Sequence, residues 1–322
     1  MLSETIQVTA PSRLHFGMLS FGQPDTRQFG GVGLMIDRPG LQLRVSPAER
    51  FQVKGPLKQR AEQFVGKMCA ALALPCEPAC LIEIENAPPE HVGLGTGTQL
   101  GLAVATGIRE LLGRDDLDYF DLAELIGRGE RSSIGTYGFA MGGLLVEAGK
   151  YEGESHSPLV SRVELPQQWR VVLIALRGQH GIHGDVERRA FSDLPPVPTA
   201  ATAGLCREVL LSLLPAAAEG RFERFSESLY RYGHMAGLCF AANQGGPFAN
   251  ARLAALVERI REMDVHGVGQ SSWGPNIFAM LPDQESAERF AARLAEKRDG
   301  PDLDVTIATP NNCGANVTRI PG

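Results

Sequence analysis

The sequence predicts an α+β protein of two lobes, 1–165 and 166–322, and three observations point there. Alternating apolar segments fill the first part, and a glycine- and threonine-rich loop joins a strand to an apolar helix in the middle. After a proline-rich break, long helical patterns lead to a second glycine-rich loop. At 322 residues the chain has ample core for one large or two moderate domains.

In chain order, IQVTAPSRLHFGML and GLQLRVSP alternate as strands, and a helix is expected from Gln59 to Ala73. Residues 81 to 85 (LIEIE) form the next strand, and from Gln99 to near Gly113 small and apolar residues suit a buried helix. A helix from Tyr119 to Arg128 leads into RSSIGTYGFAMGGLLVEAG, whose double glycine precedes a short apolar strand. Residues 170 to 176 (RVVLIAL) are apolar enough for a central strand. After LPPVP, helical patterns follow at Ala201–Leu214, Phe222–Gly237 and Asn250–Met263, and then GVGQSSWGPNIFAML.

Between residues 88 and 105 the chain reads PPEHVGLGTGTQLGLAVA, a loop feeding directly into a helix. Backbone N–H groups gather where Gly95, Thr96, Gly97 and Thr98 enter that helix, and its dipole favours a phosphate or pyrophosphate there. A helix cap on a flexible turn would use the same residues. A Walker loop is excluded by the absence of Gly-Lys-Ser/Thr, and a dinucleotide fingerprint by Thr98 standing where a glycine is needed. The later Gly267, Gly269, Ser271, Ser272 and Gly274 form either a second binding loop for a shared site or a tight helix-to-strand turn. Trp273 there could stack on an aromatic substrate, or serve as a core-edge residue.

A net charge of −6 without a basic run argues against nucleic acid as a partner. The first residues lack a signal-peptide pattern, and no uninterrupted apolar run approaches the roughly twenty residues of a membrane span. A cytoplasmic location, with no membrane partner, is therefore expected. Six cysteines without a C-x-x-C pair are expected to be reduced and mostly buried. His180 and His183, with Asp185 and Glu187 nearby, lack the HExxH spacing of a zincin and read as loop histidines, or as contacts to phosphate or carboxylate.

The order PSRLHFGML, GLGTGTQLG, GVGQSSWGP resembles the galacto-, homoserine-, mevalonate- and phosphomevalonate-kinase superfamily over nearly the whole chain. Within it, SRLHFG, PPEHVGLGTGTQLGLAVA, RGERSSIGTYGFAMGG and GVGQSSWGPN are similar to the beta-ribofuranosylaminobenzene 5'-phosphate synthase family. The resemblance implies the two-lobed kinase-superfamily fold. It also implies a reaction of phosphoribosyl pyrophosphate with 4-aminobenzoate that releases CO2 and pyrophosphate, for methanopterin-type cofactors. Mevalonate-type kinases carry an aspartate in an SGxD segment seven residues before a Gly-Gly pair; here that position is Gly135. Glycine can neither take a proton nor orient a hydroxyl, which disfavours phosphoryl transfer. A kinase with its base elsewhere and a non-catalytic metabolite-binding protein are the alternatives.

That chemistry sets demands on the residues. The leaving pyrophosphate needs a grip, expected from Gly93 to Thr98 with hydroxyls of Thr96 and Thr98, and from magnesium as cofactor. Glu90, Glu124 and Glu130 are carboxylates that could hold the ion, and spacing selects none over an ordinary surface role. The benzoate carboxylate calls for arginine. Arg13, His15 and Arg131 are the expected catalytic residues, with Arg128 set aside and surface salt bridges as the competing role. Gly93, Gly95, Thr96, Gly97, Thr98, Ser132, Ser271, Ser272 and Trp273 are the expected binding residues. The family resemblance also suggests a homodimer.

Overall fold

The protein is represented by a computed structural model that describes residues 4–178, 191, 194–272, 274–296 and 302–321. Two mostly antiparallel sheets organise it. The first contains β1 (Glu4–Ser20), β2 (Phe29–Pro47), β3 (Gln52–Lys54), β4 (Cys80–Asn86), β5 (Leu144–Glu147) and β6 (Leu159–Val163). The second has the order β10-β7-β9-β8, with β7 Arg170–Leu176, β8 Val268–Gln270, β9 Ile277–Leu281 and β10 Leu303–Ala308. The last strand, β11 (Asn316–Pro321), returns to pair antiparallel with the start of β1. A cut between 165 and 166 therefore does not divide the chain cleanly, because the C-terminal strand completes the first sheet.

β1 is the long strand that both halves share. Its first part (Ile6, Val8, Ala10) packs under helices α1 (Lys58–Ala71) and α2 (Thr96–Leu112), together with Phe64, Leu100 and Val104. Its second part (Leu14, Phe16) joins a different core with Trp169, Phe225 and Tyr232. The ladder with β2 shifts register between His15 and Gly17. Such a bulge bends a strand and re-aims its side chains, and it falls at the site described below.

The remaining helices follow the apolar periodicity. α3 (Tyr119–Leu125) starts on a capping box, in which the Asp118 carboxylate accepts from the Asp121 N–H while the Asp121 side chain accepts from the Asp118 N–H. α4 (Ile134–Met141) is a helix that the glycine-rich sequence hides. α5 (Thr199–Glu208) runs through a π-helical turn at Val209–Leu213 into α6 (Leu214–Ala218). Pro215 explains the widened turn, since a proline ring crowds the carbonyl four residues earlier in a regular helix. The run from Thr199 to Ala218 is long and apolar enough to cross a membrane by length and composition, although Arg207 and Glu208 interrupt it. One face of it packs Leu205, Val209, Leu213, Ala216 and Ala217 into the second core, as a core helix does, while Leu210 and Leu211 are exposed.

α7 (Phe222–Leu238) lies across the end of β1, and the Tyr232 hydroxyl donates to the Gly17 carbonyl at 2.8 Å. α8 (Ala241–Gln244), α9 (Ala251–Glu262) and α10 (Gln284–Ala295) complete the described helices, with α9 and α10 packing in the third core, built on the second sheet. All six cysteines are free thiols; only Cys69 and Cys80 are buried, whereas Cys76, Cys206 and Cys313 are exposed. The expectation of mostly buried thiols is corrected accordingly.

Because the Tyr232 hydroxyl is buried and ties α7 to β1, Tyr232→Phe should lower unfolding free energy by about 1 kcal/mol. A urea midpoint unchanged from wild type would show that this bond does not hold the helix.

Candidate active site

A cleft of about 720 Å3 opens where β1, the α2 N-terminus, the residue 127–132 segment and α7 converge. Its size suits a small-molecule substrate. Three chain segments far apart in sequence are joined at its floor. The Ser271 hydroxyl accepts from the His15 N–H at 3.1 Å and donates to the Gly93 carbonyl at 2.6 Å. Alongside, the Ser272 N–H donates to the His15 carbonyl and the Arg13 N–H to the Leu94 carbonyl, each at 2.9 Å. The two glycine-rich loops touch backbone to backbone: a β-carbon on Gly274 would stand 2.4 Å from the Gly93 nitrogen, and one on Gly93 would stand 2.3 Å from the Ser271 carbonyl oxygen.

α2 begins on Gly95 in the left-handed conformation (φ 70°), with no side-chain cap and no acidic residue in its first turn. The positive end of the helix is thereby presented to the cleft. Gly93, Gly95, Thr96, Gly97 and Thr98 all line it. The Thr96 hydroxyl, however, donates to the Pro89 carbonyl at 2.9 Å, so its proton braces the loop and is not offered to a ligand.

Arg13 packs over the loop, with its Nε 3.0 Å from where a Gly95 β-carbon would stand, and its Nη1 donates to the Ser272 hydroxyl at 3.4 Å. His15 lines the cleft yet is only 3% exposed, and its Nε2 has no hydrogen-bond partner. Burial, reinforced by the Arg13 charge, pushes the imidazole pKa down to about 3, so the ring is neutral at physiological pH. Arg131 also lines the cleft, with its guanidinium 5.0 Å from the Phe191 ring centroid. Phe191 in turn packs against Phe240, which lines the cleft with Phe248 and Met18. This end of the cleft is apolar.

Ser132 and Ser272 line the cleft, but Ser271 does not. Its hydroxyl is fully buried and spent on the junction just described, so Ser271 is a brace and not a phosphate ligand. Trp273, His180 and His183 lie outside the described residues. Arg128, set aside on sequence, stands on the cleft wall with Glu90 and Glu130; Glu124 lines a small neighbouring recess.

Some residues here were not singled out on sequence. Arg60 and Lys67, two helical turns apart on one face of α1, reach into the cleft. Their seven-residue spacing is the signal that could have found them. Glu147 is wholly buried at the end of β5, where it accepts from the Ser133 N–H at 2.7 Å. Burial raises its pKa, opposed by hydrogen bonds from Ser132, Ser133 and Ser157 and by the charge of Arg13. A carboxylate closing the apolar run LLVE was its signal. Among the described residues no group of three His, Cys, Asp or Glu side chains is set to hold a metal. Glu90 lies 3.8 Å from a β-carbon position on Gly97, and one carboxylate plus substrate phosphates is an ordinary arrangement for magnesium.

Residues 60–143 match the GHMP kinases N terminal domain and residues 213–299 the GHMP kinases C terminal family. The chain is 31% identical to the beta-ribofuranosylphenol 5'-phosphate synthase of Archaeoglobus fulgidus, covering 97% of this chain and 99% of that protein. It is 25% identical to the synthase of the same name from Methanothermobacter thermautotrophicus, over 90% of this chain and 92% of that one. Homoserine kinase from Cytophaga hutchinsonii superposes with a TM-score of 0.65 at 18% identity, covering 98% of this chain and 97% of that one.

The depressed His15 pKa carries a stability cost in acid. Above pH 6.5 the ring is neutral in folded and unfolded chains alike; from there down to about pH 3 the unfolded chain binds a proton that the folded chain refuses. Between pH 6.5 and 5.5 wild type should therefore lose about 1 kcal/mol more than His15→Asn, read from urea unfolding at both pH values. Equal losses in the two proteins would show that His15 is not held neutral.

Proposed function

Because this chain belongs to the beta-ribofuranosylphenol 5'-phosphate synthase family of the GHMP kinase superfamily, we propose that it transfers a phosphoribosyl group from phosphoribosyl pyrophosphate to a para-substituted benzoate with loss of CO2. The relatives' name denotes a phenol product, which 4-hydroxybenzoate would give; 4-aminobenzoate would give the aminobenzene. 4-Hydroxybenzoate is accordingly the first choice of acceptor, with 4-aminobenzoate second, and a methanopterin-type cofactor is the destination the aminobenzene product would suit.

The donor's C1–O bond breaks with its electron pair leaving on pyrophosphate. The ring carbon that bears the carboxylate forms the new bond to the ribosyl carbon. The ring–carboxyl bond then breaks, its electron pair restores aromaticity, and CO2 departs. No oxidant or reductant is needed. Magnesium bound with the pyrophosphate, with Glu90 as the proposed protein ligand, would supply charge against the leaving group.

The layout of the cleft supports these assignments. Met18, Phe240 and Phe248 offer a wall for the aromatic ring, and Arg131 beside them is proposed to take its carboxylate. The α2 N-terminus, which lines the same cleft, is proposed to take the pyrophosphate. His15, in the cleft beside that helix end, is proposed to lie near the ribosyl carbon as it gains positive charge. A neutral His15 does not oppose that charge, as an imidazolium would.

The observation that carries the reading away from a kinase is Gly135. A β-carbon there would stand 3.0 Å from Thr98 Cγ2 and 3.7 Å from Gln99 Nε2, and Gln99 donates to the Gly135 carbonyl at 2.9 Å. The position has no acidic group, and any side chain there would press on Thr98.

With phosphoribosyl pyrophosphate, magnesium and carboxyl-labelled acid, labelled CO2 and pyrophosphate should appear in equal amounts, at higher kcat/KM for 4-hydroxybenzoate than for 4-aminobenzoate. Release of neither with either acid would overturn the proposal. ATP consumption with an alcohol acceptor would then favour the kinase, and ligand binding without any turnover a metabolite-binding protein.

A further inference from the structure

We propose that Arg60, Lys67 and Arg128 form a cationic seat for the pyrophosphate of the donor, so that side-chain charge and not the loop amides alone carries the leaving group. This rests on the phosphoribosyl-transfer reading and assigns part of its site. The two guanidinium groups are fixed by one buried ring: Arg60 Cζ stands 5.1 Å and Arg128 Cζ 5.2 Å from the centroid of Phe64, which is 2% exposed. Stacking on an aromatic face orients a guanidinium while leaving its edge N–H groups for an anion.

The seat adjoins the helix end. Arg128 Nη2 lies 2.7 Å from where a β-carbon of Gly97 would stand, directly over the first turn of α2. Lys67 Nζ, one turn beyond Phe64 on α1, donates to the Ile126 carbonyl at 3.4 Å, one residue before the segment that carries Arg128. Arg60 Nη1 donates to Gln63, and its Nε is buried without a hydrogen-bond partner. Glu90 faces the cluster at 3.6 Å from Arg60 Nε, Glu130 lines the same cleft, and Glu124 shares a recess with Arg128. Arg60, Lys67 and Arg128 thus bring three cationic side chains to one wall of the cleft beside the positive end of α2. A pyrophosphate would meet these cations and, with magnesium, engage Glu90 as well.

Titration calorimetry with inorganic pyrophosphate at fixed magnesium tests the seat without turnover. Lys67→Ala and Arg60→Gln should each weaken pyrophosphate binding about tenfold, the loss of one charge-assisted contact. Ribose 5-phosphate and 4-hydroxybenzoate should bind these variants as they bind wild type. Thermal melting checks that both variants are folded, and Arg60→Lys should recover part of the loss as a second, milder variant. Pyrophosphate affinity within twofold of wild type in folded variants would overturn the proposal, as would a loss confined to ribose 5-phosphate, which would make this the 5'-phosphate subsite. If the variants lose pyrophosphate while wild type releases no CO2, the seat stands and the phosphoribosyl-transfer reading alone fails.

Discussion

The buried Ser271 hydroxyl joins three stretches of chain that must lie within a few ångströms for any site to exist. It accepts from β1 at His15 and donates to the first glycine-rich loop at Gly93, while belonging itself to the second. Neutral hydrogen bonds of this kind contribute about 1 kcal/mol each, but leaving a buried donor or acceptor unmet costs more. The junction is therefore held chiefly by the penalty for breaking it. It also requires backbones in contact, which only Gly93 and Gly274 permit at this spacing. The placement of Arg13, of the α2 N-terminus and of Ser272 follows from that junction.

Charge is distributed unevenly over this frame. The α1 side holds Arg60, Lys67 and Arg128 around the positive end of α2, whereas the α7 side is apolar and capped by Arg131. Between them His15 is kept neutral by burial and by Arg13, and the carboxyl of Glu147 beneath Ser132 and Ser133 is pushed toward its neutral form by burial. A donor with a highly charged leaving group and an acceptor with a flat ring and a single carboxylate match these two ends. In the proposed reaction a neutral His15 adds no positive charge where a transient cation would form.

Much of the frame was legible in the sequence because it rests on local signals. The strand at 80–86, the glycine loop and the apolar helix from 96 to 112 follow from alternation, turn chemistry and the Gly113 stop. The late loop and its apolar strand were legible for the same reason, and Arg13 and His15 stood out as two cationic-type residues on one strand face. What stayed hidden depends on tertiary neighbours. Whether Ser271 or Ser272 faces the cleft is decided by where β1 runs, and the Thr96 hydroxyl is taken by Pro89, seven residues back. Arg128 is drawn to the cleft by Phe64 on another helix, and β11 pairs with a strand some three hundred residues earlier in sequence. No window of local sequence contains either partner.

In the proposed reaction a carbon–carbon bond forms between ribose and ring. Phosphoribosyl pyrophosphate labelled with 13C at the anomeric carbon, combined with a benzoate labelled at the carboxyl-bearing ring carbon, tests it directly by NMR of the product. A one-bond 13C–13C coupling between the two labels is expected. A product in which the anomeric carbon is bonded to oxygen or nitrogen, or one that keeps the carboxylate, would contradict it.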